Sequence, residues 1–266
     1  MKKIIIILSA LCSISTYGRE KAAAERHSSS ANLGQKIMAD CATPKAASEL
    51  WVNNVRTIIY SGGDMWWDLQ GNGSAYYIVP ATANRANGAS SCFGGSIWLG
   101  GLDAGGQLKV AAMTYRQNGI DFWAGPLDVV NTSADPAECL KYDQIFTINR
   151  TEVDNFVTSG VMTSNILGWP GNGDVTKNQD KFLAPFVDVG VIDGFYDPAT
   201  GDYPAYDVQN LAFKDNLGFC KTKLYGDQTL FWVFNDKGGA HTETQGVSIG
   251  VEVRGQAFAF KTNDEI

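Results

Sequence analysis

The sequence predicts a mainly β, antiparallel, β-sandwich-like protein of one or two units, with one short helix and a long acidic loop region. Short runs rich in β-forming residues alternate with Gly, Asn and Asp clusters from Leu50 onward, and aromatic residues recur along them. The chain has 266 residues, of which 44% are hydrophobic and 18% charged, with 29 glycines. This composition is typical of a folded, turn-rich protein and not of a disordered one.

Three hairpins follow from turns that favour Gly, Asn and Asp. Their arms are Met65–Leu69 with Ser74–Pro80, Ser96–Leu102 with Gln107–Arg116, and Thr229–Asn235 with Val247–Phe260. In the last arm Val247, Ile249, Val251 and Val253 alternate with polar residues. That alternation predicts a sheet with one solvated face.

One helix is predicted, beginning near Thr151 and ending near Gly160. Thr151 is followed three residues later by Asp154, an acidic variant of the capping box, and Phe156 supplies an apolar face. The segment from Gly168 to Asp207 is rich in Asp and interrupted by Pro, so it is predicted to be a long acidic loop region.

The first residues have the order of a secretory signal. Lys2 and Lys3 precede the apolar run Ile4–Leu11, and small residues follow up to Gly18. The run has about half the length of a membrane span, so no transmembrane span is expected. The alternative is that it forms a buried first helix.

The expected organisation is a signal peptide over 1–18, a flexible leader over 19–48 and a β-rich domain over 49–266. The leader is rich in Ala, Ser, Lys and Glu and lacks aromatic residues. The β-rich domain could also consist of two units that divide near 135–165. Because the chain stops directly after the strand-like Phe258–Phe260, we expect the domain to be incomplete at its C-terminus.

Four cysteines remain after the signal peptide, and an exported protein is expected to pair them in disulfides. They are Cys41, Cys92, Cys139 and Cys220. Four cysteines allow three pairings, and the spacing does not choose among them. Their spacing does not match that of a zinc site.

Charge and histidine content exclude two broad classes of function. The formal net charge is −7, whereas nucleic-acid binding requires a basic surface. The two histidines are His27, in the leader, and His241, which is interpreted as a solvated turn residue. No nucleophile motif accompanies His241, so no catalytic residue is assigned and the chain is not expected to be an enzyme.

Calcium is the one cofactor that the sequence suggests, because hard cations bind clusters of oxygen ligands in tight loops. Asp68 and Asn72 occupy the first and fifth positions of such a loop, but the closing acid is missing. Asp188, Asp193 and Asp197 lie in the acidic region without the required spacing. The alternative is that all of these are solvated turn residues.

Tryptophans are numerous, and those that face solvent would be stacking platforms for carbohydrate. Trp66, Trp67, Trp123 and Trp169 are the candidate ligand residues. Because aromatic residues are also enriched in β-sandwich cores, the alternative is that they fill the core.

Several longer strings resemble one known set of proteins. They include Gly62-Gly63-Asp64-Met65-Trp66-Trp67-Asp68, Ile97-Trp98-Leu99-Gly100-Gly101-Leu102-Asp103, Trp169-Pro170-Gly171-Asn172-Gly173-Asp174 and Gly201-Asp202-Tyr203-Pro204. The chain from Trp51 to Ile266 is in this respect similar to the N-terminal region of large secreted cell-surface proteins of Bacteroidota associated with type IX secretion. The resemblance implies an extracellular or outer cell-surface location, and no assigned chemistry comes with it.

The function that these observations favour is a non-catalytic module of a secreted or cell-surface protein, with an adhesive or structural role. Its partners would be other cell-surface proteins or extracellular glycans. The alternative is a carbohydrate-binding protein, or a module associated with a glycoside hydrolase, that uses exposed tryptophans and the acidic loop.

Overall fold

The computed structural model describes residues 40–114, 118–206 and 223–262. The predicted signal peptide, the leader up to residue 39, His27 and Cys220 lie outside these ranges. The described residues are mainly β, and all of their strand pairings are antiparallel, so the predicted fold class is confirmed. The strands are β1 (Ala47–Leu50), β2 (Arg56–Tyr60), β3 (Tyr77–Ile78), β4 (Ser90–Cys92), β5 (Trp98–Leu102), β6 (Leu108–Ala112), β7 (Trp123–Ala124), β8 (Phe146–Asn149), β9 (Phe186–Val187), β10 (Tyr203–Pro204), β11 (Gln228–Asn235) and β12 (Glu252–Ala259).

These strands form two larger sheets and two strand pairs. The first sheet has the order β1-β2-β3-β4. In the second, β11 pairs with β12 along its whole length and with both β7 and β8 on its other edge. The pairs β5–β6 and β9–β10 complete the set.

Strand β11 lies at the centre of the protein because both of its faces are buried. Leu230, Trp232 and Phe234 point to one side and pack in a cluster with residues of β2 and β6. Phe231 and Val233, on the opposite face, pack against the helices and the β9–β10 pair. Since side chains alternate along a strand, a continuous apolar run is what a strand covered on both faces requires.

The described residues form three short α-helices, α1 (Pro136–Lys141), α2 (Arg150–Ser159) and α3 (Ser164–Leu167). Two of them, α2 and α3, contribute to the cluster on the second of these faces of β11. Helix α2 is the predicted one, and it ends at Gly160 in the left-handed conformation (φ 69°), as its sequence indicates. Its capping box is formed by Asn149 and Glu152 and not by Thr151 and Asp154.

The hairpin predictions have different outcomes. The β5–β6 hairpin is confirmed, with the Asp103 amide donating to the Gln107 carbonyl across the turn; residues 115–116 of its predicted second arm lie outside the described residues. Between 65 and 80 only isolated bridges and β3 form. Strand β11 pairs as predicted, but its partner begins at Glu252, so Val247–Val251 do not form the expected strand arm.

The β-rich unit begins earlier than predicted. From Asp40 onward the described residues belong to one compact unit, without a division near 135–165. The predicted leader was too long, because Cys41 is buried and bonded to Cys139 and because β1 begins at Ala47 and pairs with β2. None of the helices in the described ranges has both the length and the apolar character that crossing a membrane requires.

Candidate ligand-binding groove

Most of the tryptophans proposed as ligand residues belong to the core. Trp67, Trp123 and Trp169 are buried, and Trp66 is half-buried. The Trp169 indole donates to the Pro185 carbonyl, and Trp123 packs beside the disulfide. The rings of Trp123 and Trp169 are enclosed by segments distant in the chain, so these two residues are not exposed stacking platforms.

Trp98 is the most exposed of the described tryptophans, with 70% of its surface accessible. Its ring is nevertheless fixed, because the indole Nε1 donates to the Met113 carbonyl (2.7 Å) and also contacts the Ser96 hydroxyl (3.1 Å). The N–H group of the ring is therefore already hydrogen-bonded within the protein, and the flat apolar face of the ring is exposed to solvent.

A groove of about 460 Å³ lies beside this ring. Its lining includes Asp64, Trp67, Phe93, Ser96, Trp98 and Thr114. Phe93 is 48% exposed, so the groove has two accessible aromatic residues and a buried carboxyl group. The volume lies within the range of about 300 to 1,000 Å³ that is usual for small-molecule sites.

The segment that contains Phe93 is hydrogen-bonded to the loop that contains Met65. Met65 and Gly95 exchange two backbone hydrogen bonds of 2.9 Å. A Cβ atom at Gly95 would lie 2.7 Å from the Trp66 ring, so this close contact requires glycine. Trp66 itself has a left-handed backbone (φ 73°), an unfavourable conformation for a bulky residue that the surrounding contacts must hold. The groove is thus preformed.

Asp64 is the one ionisable residue among the described residues that line the groove. Its pKa is raised from 3.8 to about 7, mainly because burial disfavours the charged form and secondly because of the nearby Glu243 carboxylate, while a hydrogen bond with the Trp67 side chain opposes the shift. Between pH 4 and 7 Asp64 is therefore largely a neutral acid, able both to donate and to accept hydrogen bonds.

This shift predicts a pH-dependent effect of Asp64→Asn on stability. Between pH 4 and 7 the folded protein retains a proton at Asp64 that the unfolded chain has released, so this group makes the folded state less stable as pH rises. Asparagine does not titrate, so the variant is not destabilised in this way. Between pH 4 and 8 its free energy of unfolding, measured by urea denaturation, should therefore rise by roughly 3 kcal/mol relative to that of the wild type.

The matched control is Asp128→Asn. Hydrogen bonds from Asn131, first from its backbone and then from its side chain, lower the pKa of Asp128 to about 2, below the same pH range. The difference in free energy of unfolding between Asp128→Asn and the wild type should therefore stay constant between pH 5 and 8. A constant difference for Asp64→Asn as well would contradict the raised pKa of Asp64.

The proposed calcium ligands do not come together in one site. Among the described residues there is no group of three or more His, Cys, Asp or Glu side chains placed to hold a metal ion. Instead, Asp68 forms an ion pair with Arg85 (3.2 Å between Oδ2 and Nη2) and lies near the Asn72 amide, and Asp197 caps a 3-10 turn at Pro198–Thr200. Asp188 accepts from the Gly194 amide and Asp193 from the Phe195 amide.

His241 is buried and is not the solvated turn residue that the sequence suggests. Its Nδ1 lies 2.7 Å from the Val110 carbonyl oxygen and its Nε2 lies 2.9 Å from that of Asp236. Both ring nitrogens therefore lie within hydrogen-bonding distance of backbone carbonyl oxygens inside the protein. The buried carboxyl group of Asp121 lies 3.7 Å from Nδ1, and that of Asp236 lies 3.9 Å from Nε2. The cluster therefore holds together segments that are distant in the chain.

One of the predicted disulfides is present, between Cys41 and Cys139. It lies in a small core cluster with Trp123, Leu127 and Ala134. Cys92 is exposed and unbonded among the described cysteines. The second expected disulfide stays a prediction, because Cys220 lies outside the described residues.

A second groove, of about 570 Å³, is less suited to a ligand. It is lined in part by Asp180, Glu252 and Arg254. The Arg254 guanidinium already bonds to Asp180 (2.8 Å) and Glu252 (2.7 Å), so the charges of these three residues are largely neutralised within the protein. The groove between Phe93 and Trp98 is therefore the better candidate.

Trp98 and Phe93 are absent from the ligand residues chosen from the sequence. A local signal for Trp98 exists, since it stands between Ile97 and Leu99, which both pack on the core. Alternation in a strand directs Trp98 outward. For Phe93 the sequence has no comparable signal.

These features define an antiparallel β protein with a preformed aromatic groove. Comparisons with protein-family models, with curated proteins and with solved structures found no match to this chain.

Proposed function

We propose that the chain is a non-catalytic binding module of a secreted or cell-surface protein, with an adhesive or structural role, and that its ligand binds in the groove between Phe93 and Trp98. The observation that carries the proposal is the fixed, solvent-facing indole of Trp98. An exposed large aromatic ring held in one orientation loses little conformational entropy on binding, which favours recognition.

The chemistry of the groove favours binding over catalysis. A glycosidase needs two carboxyl groups across the scissile bond, whereas the described lining has Asp64 as its single carboxyl group. The polar cluster around His241 is fully occupied by internal contacts. Both observations support a module that holds a ligand without transforming it.

An extracellular location is supported by two features. The buried Cys41–Cys139 bond is of the kind that forms in oxidising compartments, and the first eighteen residues have the order of a secretory signal. The motif resemblance further supports a place in the N-terminal region of a large Bacteroidota surface protein exported by type IX secretion.

Export is tested by the intact mass and N-terminal sequence of the protein from culture medium. A start at Arg19 agrees with export, and a product retained in cells with Met1 would contradict it.

The binding proposal predicts the behaviour of Trp98→Ala on surfaces coated with extracellular components. Labelled full-length protein is applied to an array that carries immobilised glycans and immobilised extracellular proteins. We expect the wild type to be retained on at least one class of surface. Retention of Trp98→Ala should be at least tenfold weaker, because the exposed indole ring is removed.

Trp51→Ala is the matched control, since Trp51 is also exposed but does not line the groove. It should be retained like the wild type. Equal retention of Trp98→Ala and wild type, or no retention of the wild type on any surface, would overturn the proposed function.

A further inference from the structure

We infer that the groove binds a neutral, linear, β-linked glycan of glucose-like configuration, with one sugar ring stacked on Trp98 and the chain continuing over Gly100. The inference rests on the proposed function, because it names the ligand class of the same groove. It draws on the face of Trp98, the polar lining and the surface of the β5–β6 hairpin.

The part of Trp98 that remains for a ligand is its flat π-face. The indole N–H is already bonded to Met113, so the ring offers no hydrogen bond to a partner. Aromatic faces carry negative partial charge and attract positively polarised C–H groups. A pyranose ring whose hydroxyl groups are all equatorial presents such C–H groups on both faces, so it matches this platform.

The remaining lining supplies hydrogen bonds and no cation. Thr114 carries a hydroxyl group and Asp64 a buried carboxyl group, whereas the Ser96 hydroxyl already bonds to the Met113 carbonyl and the Trp98 indole. Sugar hydroxyls both donate and accept, so they are suited to these partners. The lack of Lys and Arg in the described lining, together with the net charge of −7, disfavours an anionic glycan.

The surface beside Trp98 is open in the direction of the hairpin. Because side chains alternate along β5, Trp98, Gly100 and Leu102 share one face. Gly100 is exposed, and a Cβ atom there would meet only ordinary contacts, at 3.7 Å from the Lys109 carbonyl and 3.9 Å from Val110. Its φ is not positive. Neither packing nor backbone conformation requires glycine at this position, but a missing side chain leaves room for a polymer that extends past Trp98.

The variant Gly100→Val should therefore weaken glycan binding without lowering the stability of the fold. Valine favours strands and would face Val110 across the hairpin, so folding should be unchanged or improved. The new side chain would obstruct the path of the glycan. Gly101→Val is the matched control, because Gly101 is equally exposed, has open space around its Cβ position and points away from the face of Trp98.

The test is isothermal titration calorimetry of the full chain with cellohexaose, laminarihexaose and xylohexaose. We expect the wild type to bind at least one of these, Trp98→Ala and Gly100→Val to bind it at least tenfold more weakly, and Gly101→Val to bind it like the wild type. Thermal melting should show Gly100→Val at least as stable as the wild type.

Three results would overturn the inference. The first is binding by Gly100→Val and Trp98→Ala that equals the wild type. The second is a wild type that binds none of the three oligosaccharides but is retained on protein-coated surfaces in a Trp98-dependent manner, in which case the proposed function survives and the glycan assignment fails. If Trp98-dependent retention is also absent, both fail.

Discussion

Replacing Cys139 by serine is expected to lower the free energy of unfolding by about 4 kcal/mol, one of the two largest stability effects that the fold predicts. The Cys41–Cys139 bond joins residues separated by 98 positions, and a closed loop of that length greatly restricts the unfolded chain. The bond also fastens the start of the unit, because the Cys41 amide donates to the Gly238 carbonyl (2.7 Å) in the same region. Urea denaturation of the variant under non-reducing conditions measures the loss.

Cys92→Ser is the comparison variant. Cys92 is exposed and unbonded among the described cysteines, so without a disulfide partner outside them its replacement should change stability by less than about 0.5 kcal/mol. A loss of several kcal/mol in this variant would show that Cys92 has a disulfide partner. A Cys139→Ser protein as stable as the wild type would contradict the structural role of the buried bond.

The second large effect is expected for Asp236→Ala, at about 3 to 5 kcal/mol. Asp236 is fully buried, and its Oδ1 accepts from the amides of Gly250 (2.9 Å) and Val251 (2.8 Å), while its Oδ2 accepts from Ile249. Truncation would leave these three donors without a partner and remove one of the two carboxylates beside His241. Urea denaturation at neutral pH measures the loss.

Asp103→Ala provides the contrast. Asp103 also accepts hydrogen bonds from two backbone amides, those of Gly105 and Gln107, but in an exposed turn where water replaces the lost partner. Its effect should be far smaller than that of Asp236→Ala. Similar losses in the two variants would show that burial does not decide the strength of such contacts in this protein.

The parts of the fold that depend on neighbouring residues could be predicted from the sequence. Helix α2 ends where Gly160 allows a left-handed residue, and the β5–β6 hairpin follows from the glycine-rich turn between its strands. The exact capping residues of α2 could not be predicted, because both Asn149 and Thr151 are good caps and the choice depends on the preceding strand β8.

Features that depend on distant contacts could not be predicted. The burial of His241 results from a contact with Val110, 131 positions away, and a local interpretation of residues 236–247 as a hairpin tip cannot contain it. For the same reason the sequence could not show which tryptophans are enclosed. Trp123 and Trp169 are buried by segments far away in the chain, whereas Trp98 remains outside.

Glycan binding at Trp98 is tested most directly by a titration of the full chain with cellohexaose, laminarihexaose or xylohexaose, followed by two-dimensional NMR of the seven tryptophan indole N–H resonances. The Trp98 resonance is assigned with the variant Trp98→Phe. Glycan binding at Trp98 predicts that the Trp98 resonance shifts progressively with at least one of these glycans while those of the buried Trp123, Trp169 and Trp232 stay in place. A titration in which Trp98 does not move with any of the three would contradict it, even if another tryptophan responds.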